Sequence, residues 1–363
     1  MVIDPAKPFD LEYRVDPAYD GLRLDRYVHS MVPAISRTRI QQYNEEGRLT
    51  VRGLRRPDNW KVRTGDLVRL QCRMPEGGEA LGSDIPVEVV YEDECLLGVN
   101  KQPGLVVHPV ALHRHDTLMN ALYWRYKDAL LPGQELSLVN RIDKYTSGLV
   151  LVAKDPVAKR HLQRQFESRR VTKEYLALVH GLVAEEEGEI DRPIGAKPQS
   201  ENRVLMAVRE DGTGRPSQTR FRVEERLTLP ERASPDEALR RFTLVRLWPR
   251  TGRQHQLRVH LASLGHPLVG DHLYGDARGL LCRGPAGEEC RLARFALHAA
   301  RLTVVHPVTR EPLVVAAPLA EDFRAILAGL RADWSLETFP LAQKPGKAPQ
   351  RPSRAISSAP ETA

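Results

Sequence analysis

Residues 140–148 read Asn-Arg-Ile-Asp-Lys-Tyr-Thr-Ser-Gly and lie between two apolar runs, Leu138-Val139 before and Leu149-Val150-Leu151-Val152 after. A polar, Gly-ended segment between such runs predicts a strand that enters a turn and a second strand that leaves from Gly148. The turn carries one acid, Asp143, beside Arg141 and Lys144. An acid held between cations favours its charged form. The same residues therefore read as a salt-bridged surface turn or as a carboxylate kept ionised for chemistry.

The rest of the chain narrows the setting. At 363 residues it has room for two or three modest domains. The formal net charge of +7 favours a polyanionic partner. Charge alone does not choose between nucleic acid and an anionic membrane. No run of 18 apolar residues occurs, however, and the first residues are acidic and Pro-containing rather than signal-like. A cytoplasmic protein without membrane contact is expected, and a monomer. The four cysteines, Cys72, Cys95, Cys282 and Cys290, form no C-x-x-C pair and no disulfide framework. His255 and His260 are five residues apart, about 140° around a helix. They cannot share one helix face as a zinc pair, so no metal is expected.

Along the chain, residues 1–18 are a Pro-containing lead without periodicity. Residues 19–72 form a candidate small α/β module. A helical pattern around Leu22–Val28 comes first, then a second over Ser36–Tyr43, with Ser36 as its natural N-cap. Leu49-Thr50-Val51 reads as a strand, and Val62 through Leu70 completes the unit around a Thr64-Gly65-Asp66 turn. Between residues 20 and 70 eleven Lys and Arg face six Asp and Glu, a surface suited to phosphate contacts. Residues 73–87 read as a linker, 88–335 as a β-rich α+β domain, and 336–363 as a disordered tail. In the large domain strands are expected at 95–100, 104–108, 137–140, 148–153, 172–180, 219–225, 242–248, 298–305 and 312–316. Helices are expected at 117–127, 156–168, 253–264 and 319–331, with Asp155 capping the second, and loops at 226–240 and 276–293. Strands and helices do not alternate strictly, which argues against a doubly wound parallel sheet.

Several of these segments carry a resemblance. Residues 140–148 are similar to the central motif of the RluA-type RNA pseudouridine synthases, commonly His-Arg-Leu-Asp, two variable residues and Thr-Ser-Gly. Here Asn140 stands at the His position and Ile142 at the Leu position. Residues 249–275, from Pro-Arg-Thr-Gly-Arg-Gln-His-Gln-Leu-Arg to Gly-Asp-His-Leu-Tyr-Gly, resemble that family's longest signature. Val99-Asn100-Lys101-Gln102-Pro103-Gly104, Lys173-Glu174-Tyr175-Leu176-Ala177-Leu178-Val179-His180-Gly181 and Leu297-His298-Ala299 resemble three more of its segments, in family order. In the small module, Arg23-Leu24-Asp25, Ser36-Arg37, Gly47 with Val51 and Gly65-Asp66 resemble the RNA-binding domain named after ribosomal small-subunit protein four.

The resemblance implies a mixed, mainly antiparallel central sheet with flanking helices and a cleft along it. It implies isomerisation of uridine in structured RNA to pseudouridine, most simply in large-subunit ribosomal RNA, with transfer RNA as the other candidate. The base is cut from its ribose at N1, turned and rejoined through C5. Nothing is oxidised and no group is donated, so no cofactor is expected. The chain accordingly lacks a G-x-x-x-x-G-K-[ST] loop, a G-x-G-x-x-G turn and an H-E-x-x-H pair. By the resemblance Asp143 is the essential carboxylate, acting as nucleophile on the sugar or as a base. Arg258 is its basic partner, and Tyr175 stacks on the target base. Arg141 occupies the space left by a flipped-out nucleotide. Arg253, Gln254 and His255 open a helix whose amides can face a phosphate. Arg23, Ser36, Arg37 and Arg39 are the expected RNA contacts of the small module. The alternative is a non-catalytic RNA-binding or ribosome-assembly protein on the same scaffold.

Overall fold

In β1 (Phe9–Arg14) Leu11 and Tyr13 turn toward a core while Asp10, Glu12 and Arg14 stay exposed, the alternation a strand with one wet face requires. The structure is a computed structural model that describes residues 9–32, 35, 37–72, 83–109, 113, 115–130, 134–198, 200 and 205–341. It divides into two units, Met1–Ser83 and Asp84–Ala363. In the first, α1 (Leu24–Met31) buries Leu24, Tyr27 and Val28, and α2 (Arg37–Glu45) buries Ile40 and Tyr43. Both pack on a sheet in which β3 (Leu67–Cys72) lies between β1 and β2 (Leu49–Val51), all antiparallel. Val68, Leu70 and Cys72 are the inward residues of β3. The expected lead over 1–18 is therefore corrected: residues 9–14 are a strand of this sheet, and the alternation Phe-Asp-Leu-Glu-Tyr-Arg is its sequence signal, set in a Pro-containing stretch too short to read as an element by itself. Ser36, expected to cap α2, lies outside the described residues.

The second unit begins with the hairpin of β4 (Glu88–Glu92) and β5 (Leu96–Lys101). Then come α3 (Leu118–Tyr126), β6 (Ser137–Leu138), β7 (Ser147–Ala153), α4 (Pro156–Glu167), β8 (Thr172–His180) and β9 (Glu187–Asp191). A short hairpin of β10 (Ile194–Ala196) and β11 (Met206–Val208) precedes the long pair β12 (Gln218–Thr228) and β13 (Arg241–Pro249). After α5 (Gln256–Ser263) follow β14 (Arg278–Arg283), β15 (Glu289–Leu292), β16 (Leu297–Val305), β17 (Pro312–Ala316), α6 (Glu321–Arg331) and β18 (Ser335–Pro340).

The main sheet runs β4-β5-β7-β16-β8-β13-β12-β9, with β17 on β16 and β6 on β7. Among the described residues only β7 and β16 pair in parallel; its other strand pairs are antiparallel. This is the mixed, mainly antiparallel α+β sheet expected. All seven residues of β7 are buried, which explains why its sequence is a continuous apolar run rather than an alternation. Asp155 caps α4 by accepting from the amides of Val157 and Ala158, with Pro156 in the first turn where its missing N–H costs nothing.

Three expectations are corrected. Residues 104–108 are a turn with one isolated bridge, Val106 to Thr117, because Gly104 adopts a positive φ and breaks the extended run. The loop expected over 276–293 contains the hairpin β14–β15, to which β18 adds a third strand. The expected tail is thereby shortened: Leu336–Pro340 belong to β18, and residues 342–363 lie outside the described residues. β15 has only four residues, and β18 pairs with a strand more than fifty residues earlier, so local pattern gave little warning of this sheet.

Candidate active site

The sheet itself brings the Asp143 turn beside Tyr175. Across β7, β16 and β8, Gly148 pairs with Ala299 and Ala299 pairs with Tyr175, so the three residues form one row. Gly148 has a φ of +104°, and a Cβ there would stand 2.2 Å from the Ala299 carbonyl oxygen. Only glycine allows the close strand approach that sets the turn next to the row. The backbone of the turn closes with the Thr146 amide donating to the Asp143 carbonyl at 3.1 Å.

The cleft so formed holds about 580 Å³ and is lined by Asp143, Tyr175, Arg258, Arg141, Arg253, Gln254 and His255, with Lys173, Asn140 and Thr251. This size suits a nucleotide-scale ligand. The seven site residues expected in this unit, separated by up to 117 positions, thus share one cavity. Asp143 is about a third exposed, at 33%, and an Oδ of it lies 3.7 Å from Arg258 Nη1. Arg258 is buried, and its closer bonds go elsewhere. Its Nε and Nη2 donate to Asp271 at 2.7 and 2.6 Å in a fork-to-fork pair. The expected pairing of Arg258 with Asp143 is present, and the structure adds a closer partner: Asp271 takes the fork, and Asp143 receives the remaining edge of the guanidinium. Burial works against the Arg258 charge, but the Asp271 bonds and charge, helped by Asp143, hold its pKa above the usual value. The guanidinium also lies 4.2 Å from the Phe295 ring centre and 5.0 Å from that of Tyr274.

Asp271 falls inside the 249–275 signature segment, where the sequence assigns it no role. Fully buried, it also accepts from the amides of Leu273 and Tyr274, at 3.0 and 3.3 Å. The signal available in the sequence was the Gly270-Asp271 dipeptide. Gly270 has a φ of +74°, and a Cβ on it would meet the Arg294 carbonyl oxygen at 2.3 Å.

Two buried cations hold the back of the Asp143 turn, and sequence reasoning named neither for that purpose. Lys101 Nζ donates to the carbonyls of Gln102, Leu105 and Lys144 at 2.9, 2.9 and 3.0 Å, the three bonds an ammonium can make. Burial first, and the Arg294 charge second, bring its pKa down to about 7. Arg294 donates to the Tyr145 carbonyl at 3.1 Å and to Ser147 Oγ at 3.1 Å.

Other cleft residues depart from expectation in instructive ways. Helix α5 starts at Gln256, so Arg253, Gln254 and His255 form the turn before it rather than its first residues. Gln256 explains the shift: its Oε1 accepts from Thr251 Oγ1 and the Arg253 amide, at 2.7 and 3.0 Å, closing a side-chain turn. His255 takes a left-handed φ of 55°, and its Nδ1 is 2.7 Å from the Tyr274 hydroxyl. Burial pushes the His255 imidazole pKa down and so favours the neutral ring, while the Asp143 charge pulls the other way. Asn140, at the motif's His position, accepts from the Leu151 amide at 2.7 Å and donates to the Leu149 carbonyl at 3.4 Å. Its amide thus serves as a strand-like partner for β7, a role an imidazole fills less completely because its ring offers no paired donor and acceptor on one edge. Tyr175 has its hydroxyl pKa raised by burial and then by the Asp143 charge, so the phenol keeps its proton. Lys173, which donates to the Thr251 carbonyl at 2.9 Å, is lowered to about 8 by burial and then by Arg169.

In the first unit Asp25 is fully buried and accepts from Arg23 Nε and Nη2 at 3.1 and 3.2 Å, from Arg37, and from Gln41 at 3.3 Å. Arg23 and Arg37 are thus tied to a carboxylate and still 44% and 42% exposed, while Arg39 lies over the Tyr43 ring at 4.8 Å. Among the described residues, Asp93, Cys95 and His306 are spaced for a metal. Their atoms are spent on hydrogen bonds: Asp93 accepts from the Cys95 and Leu96 amides and faces His306 Nε2 at 2.9 Å, and His306 Nδ1 accepts from Val308 and Thr309. Among the described residues no helix is long and apolar enough to cross a membrane.

Comparison with known proteins places this architecture. Residues 96–263 match the family described as RNA pseudouridylate synthase. The chain is 36% identical over 315 residues to the uncharacterized RNA pseudouridine synthase YlyB of Bacillus subtilis, covering 85% of this chain and 94% of that protein. It is 36% identical over 322 residues to ribosomal large subunit pseudouridine synthase D of Nitrosomonas europaea, covering 88% of each. A solved human structure, RNA pseudouridylate synthase domain containing 1, superposes with a TM-score of 0.52 at 31% identity, covering 72% of this chain and 93% of that one. With its mixed sheet and its cleft beside the Thr-Ser-Gly strand, the chain belongs to the RluA-type RNA pseudouridine synthases, isomerases that convert uridine in RNA to pseudouridine.

Proposed function

We propose that Asp143 is the acid that acts at the ribose and that the RNA acted on is large-subunit ribosomal RNA. The observation that carries the first part is the 3.7 Å approach of a partly exposed Asp143 to an Arg258 already anchored by Asp271. Breaking the C1′–N1 bond builds positive character at the sugar, and a nearby fixed anion lowers that barrier. The base then turns, C1′ bonds to C5, the C5 proton is lost and N1 gains one. Atoms balance without a further reactant. Arg258 orients the carboxylate, and its cost of burial is met by Asp271 rather than by Asp143. Tyr175, holding its proton, serves as a stacking and donor group rather than as a phenolate base. A second carboxylic acid for leaving-group protonation, as glycoside hydrolysis commonly uses, is not among the described residues lining the cleft.

Arg141, exposed at the cleft, fits the space a flipped nucleotide leaves, and Arg253, Gln254 and His255 fit its phosphates. The first unit, with Arg23, Arg37 and Arg39 on an excess of positive charge, reads as an RNA clamp of the ribosomal small-subunit protein four type. The ribosomal assignment is supported by relatives whose names specify the large subunit. The test is a map of pseudouridines in cellular RNA from cells with the gene, without it, and complemented by Asp143→Asn. Large-subunit sites should vanish on deletion and stay absent with the variant. Loss confined to transfer RNA would overturn the ribosomal reading, and restoration by Asp143→Asn would remove Asp143 from its role.

A further inference from the structure

We propose that Arg294 and Asp322 form a positioning clamp that sets the Asp143 turn from behind, with Asp322 held in the first turn of helix α6. This rests on the reading of Asp143 above. Arg294 is 5% exposed, and its fork serves Asp322 on one side and the Asp143 turn with the strand start beside it on the other. On one side Nε and Nη2 donate to the two Asp322 oxygens, each at 2.7 Å. On the other Nη1 donates to the Tyr145 carbonyl and Nη2 to Ser147 Oγ, both at 3.1 Å. Tyr145 is two residues past Asp143, and Ser147 begins β7. Nη1 also reaches the Phe295 and Leu297 carbonyls, both at 3.2 Å, at the start of β16.

Asp322 is in the first turn of α6, where its Oδ1 also accepts from the Phe323 amide at 2.8 Å. A carboxylate is favoured at a helix N-terminus, so it stays in place and holds Arg294 in turn. Neither residue lines the Asp143 cleft. Their effect on chemistry passes through the backbone of the turn. A carboxylate on a two-residue lever from a loosened carbonyl moves by a substantial fraction of an ångström, and misplacement by 1 Å costs on the order of 100-fold in rate.

The test uses the full chain and an unmodified transcript of the host's large-subunit ribosomal RNA. Single-turnover conversion, RNA dissociation constant and melting temperature are measured for Asp322→Asn, Arg294→Met, Arg294→Lys, Asp143→Asn and Leu330→Ala. Leu330→Ala loosens the core at the far end of α6, away from Asp322 and the turn. Asp322→Asn should slow conversion by about 10-fold and Arg294→Met by about 100-fold. RNA affinity should stay within about twofold, because neither residue meets the substrate. Arg294→Lys should lie between wild type and Arg294→Met, since one ammonium keeps charge but cannot serve both places. Leu330→Ala should melt earlier and convert at the wild-type rate. Should Arg294→Met fail to fold, Asp322→Asn decides alone. Wild-type rates in Asp322→Asn, or an equal loss in Leu330→Ala, overturn the clamp while an inactive Asp143→Asn leaves the Asp143 reading standing. An active Asp143→Asn overturns that reading instead.

Discussion

Each unit contains a carboxylate gripped by arginine, and the two have opposite degrees of commitment. Asp25 in the first unit is fully buried, and Arg23, Arg37 and Gln41 fill its oxygens. Burial pushes its carboxyl up, but the hydrogen bonds from Arg23 and Arg37 outweigh this and leave it below the usual carboxylate range. Asp143 in the second unit is a third exposed, with one guanidinium at 3.7 Å. The counterpart of Asp25 in that unit is Asp271, which takes the strong fork of Arg258. A saturated carboxylate holds a fold together and has nothing left for a ligand. A carboxylate fixed at a distance by an arginine that another acid has already neutralised keeps its lone pairs for the substrate.

Four changes to the chain can break or sharpen that contrast. The largest effect is expected from Asp143→Asn, which should lower single-turnover conversion by at least ~10³-fold with RNA affinity nearly intact. Filter binding beside the conversion assay would show it, and retained turnover would end the distinction. Asp271→Asn comes next. It leaves Arg258 buried with a weakened partner, so the protein should lose about 3–5 kcal/mol of unfolding free energy in urea melts, and conversion should fall by tens of fold. If activity fell without any loss of stability, Asp271 would be acting on substrate and not on Arg258.

Deleting residues 1–83 should weaken RNA binding by about tenfold and flatten the dependence of log affinity on log salt by roughly 0.9 for each phosphate that the first unit neutralises. An unchanged slope would deny the first unit its role as clamp. The smallest effect belongs to Asp25→Asn. A carboxyl whose pKa is lowered on folding stabilises at pH above its unfolded value near 3.8, and that contribution fades as pH falls through the lower folded value. Wild-type protein should therefore lose stability of its first unit in that acidic window, and Asp25→Asn should flatten this part of the profile. At pH 7 the variant should cost about 1–3 kcal/mol in the first unit and leave conversion at saturating RNA unchanged.

Much of the site was legible because its signals are local. The turn around Asp143, the cap at Asp155, and β8 and β17 at the bounds expected from sequence all follow from residues within a few positions of one another. The misplaced start of α5 shows the limit: Thr251, Arg253 and Gln256 form a side-chain turn that propensity does not encode. Asn140 shows another, since its amide completes β7 rather than meeting the cleft alone.

By itself the sequence determined where the chain turns, which runs must be buried, and that an acid and its neighbouring cations share one exposed loop. Only the tertiary structure decided how charge is divided: Asp271 for Arg258, Asp322 for Arg294, three carbonyls for Lys101. It also decided that β18 closes onto β14, about sixty residues back along the chain. The reason is physical. Turns and strand faces are fixed by short-range sterics and by the period of side chains along one segment. Ion pairing in a buried cleft depends on which distant strands lie adjacent, and that is settled by sheet registry.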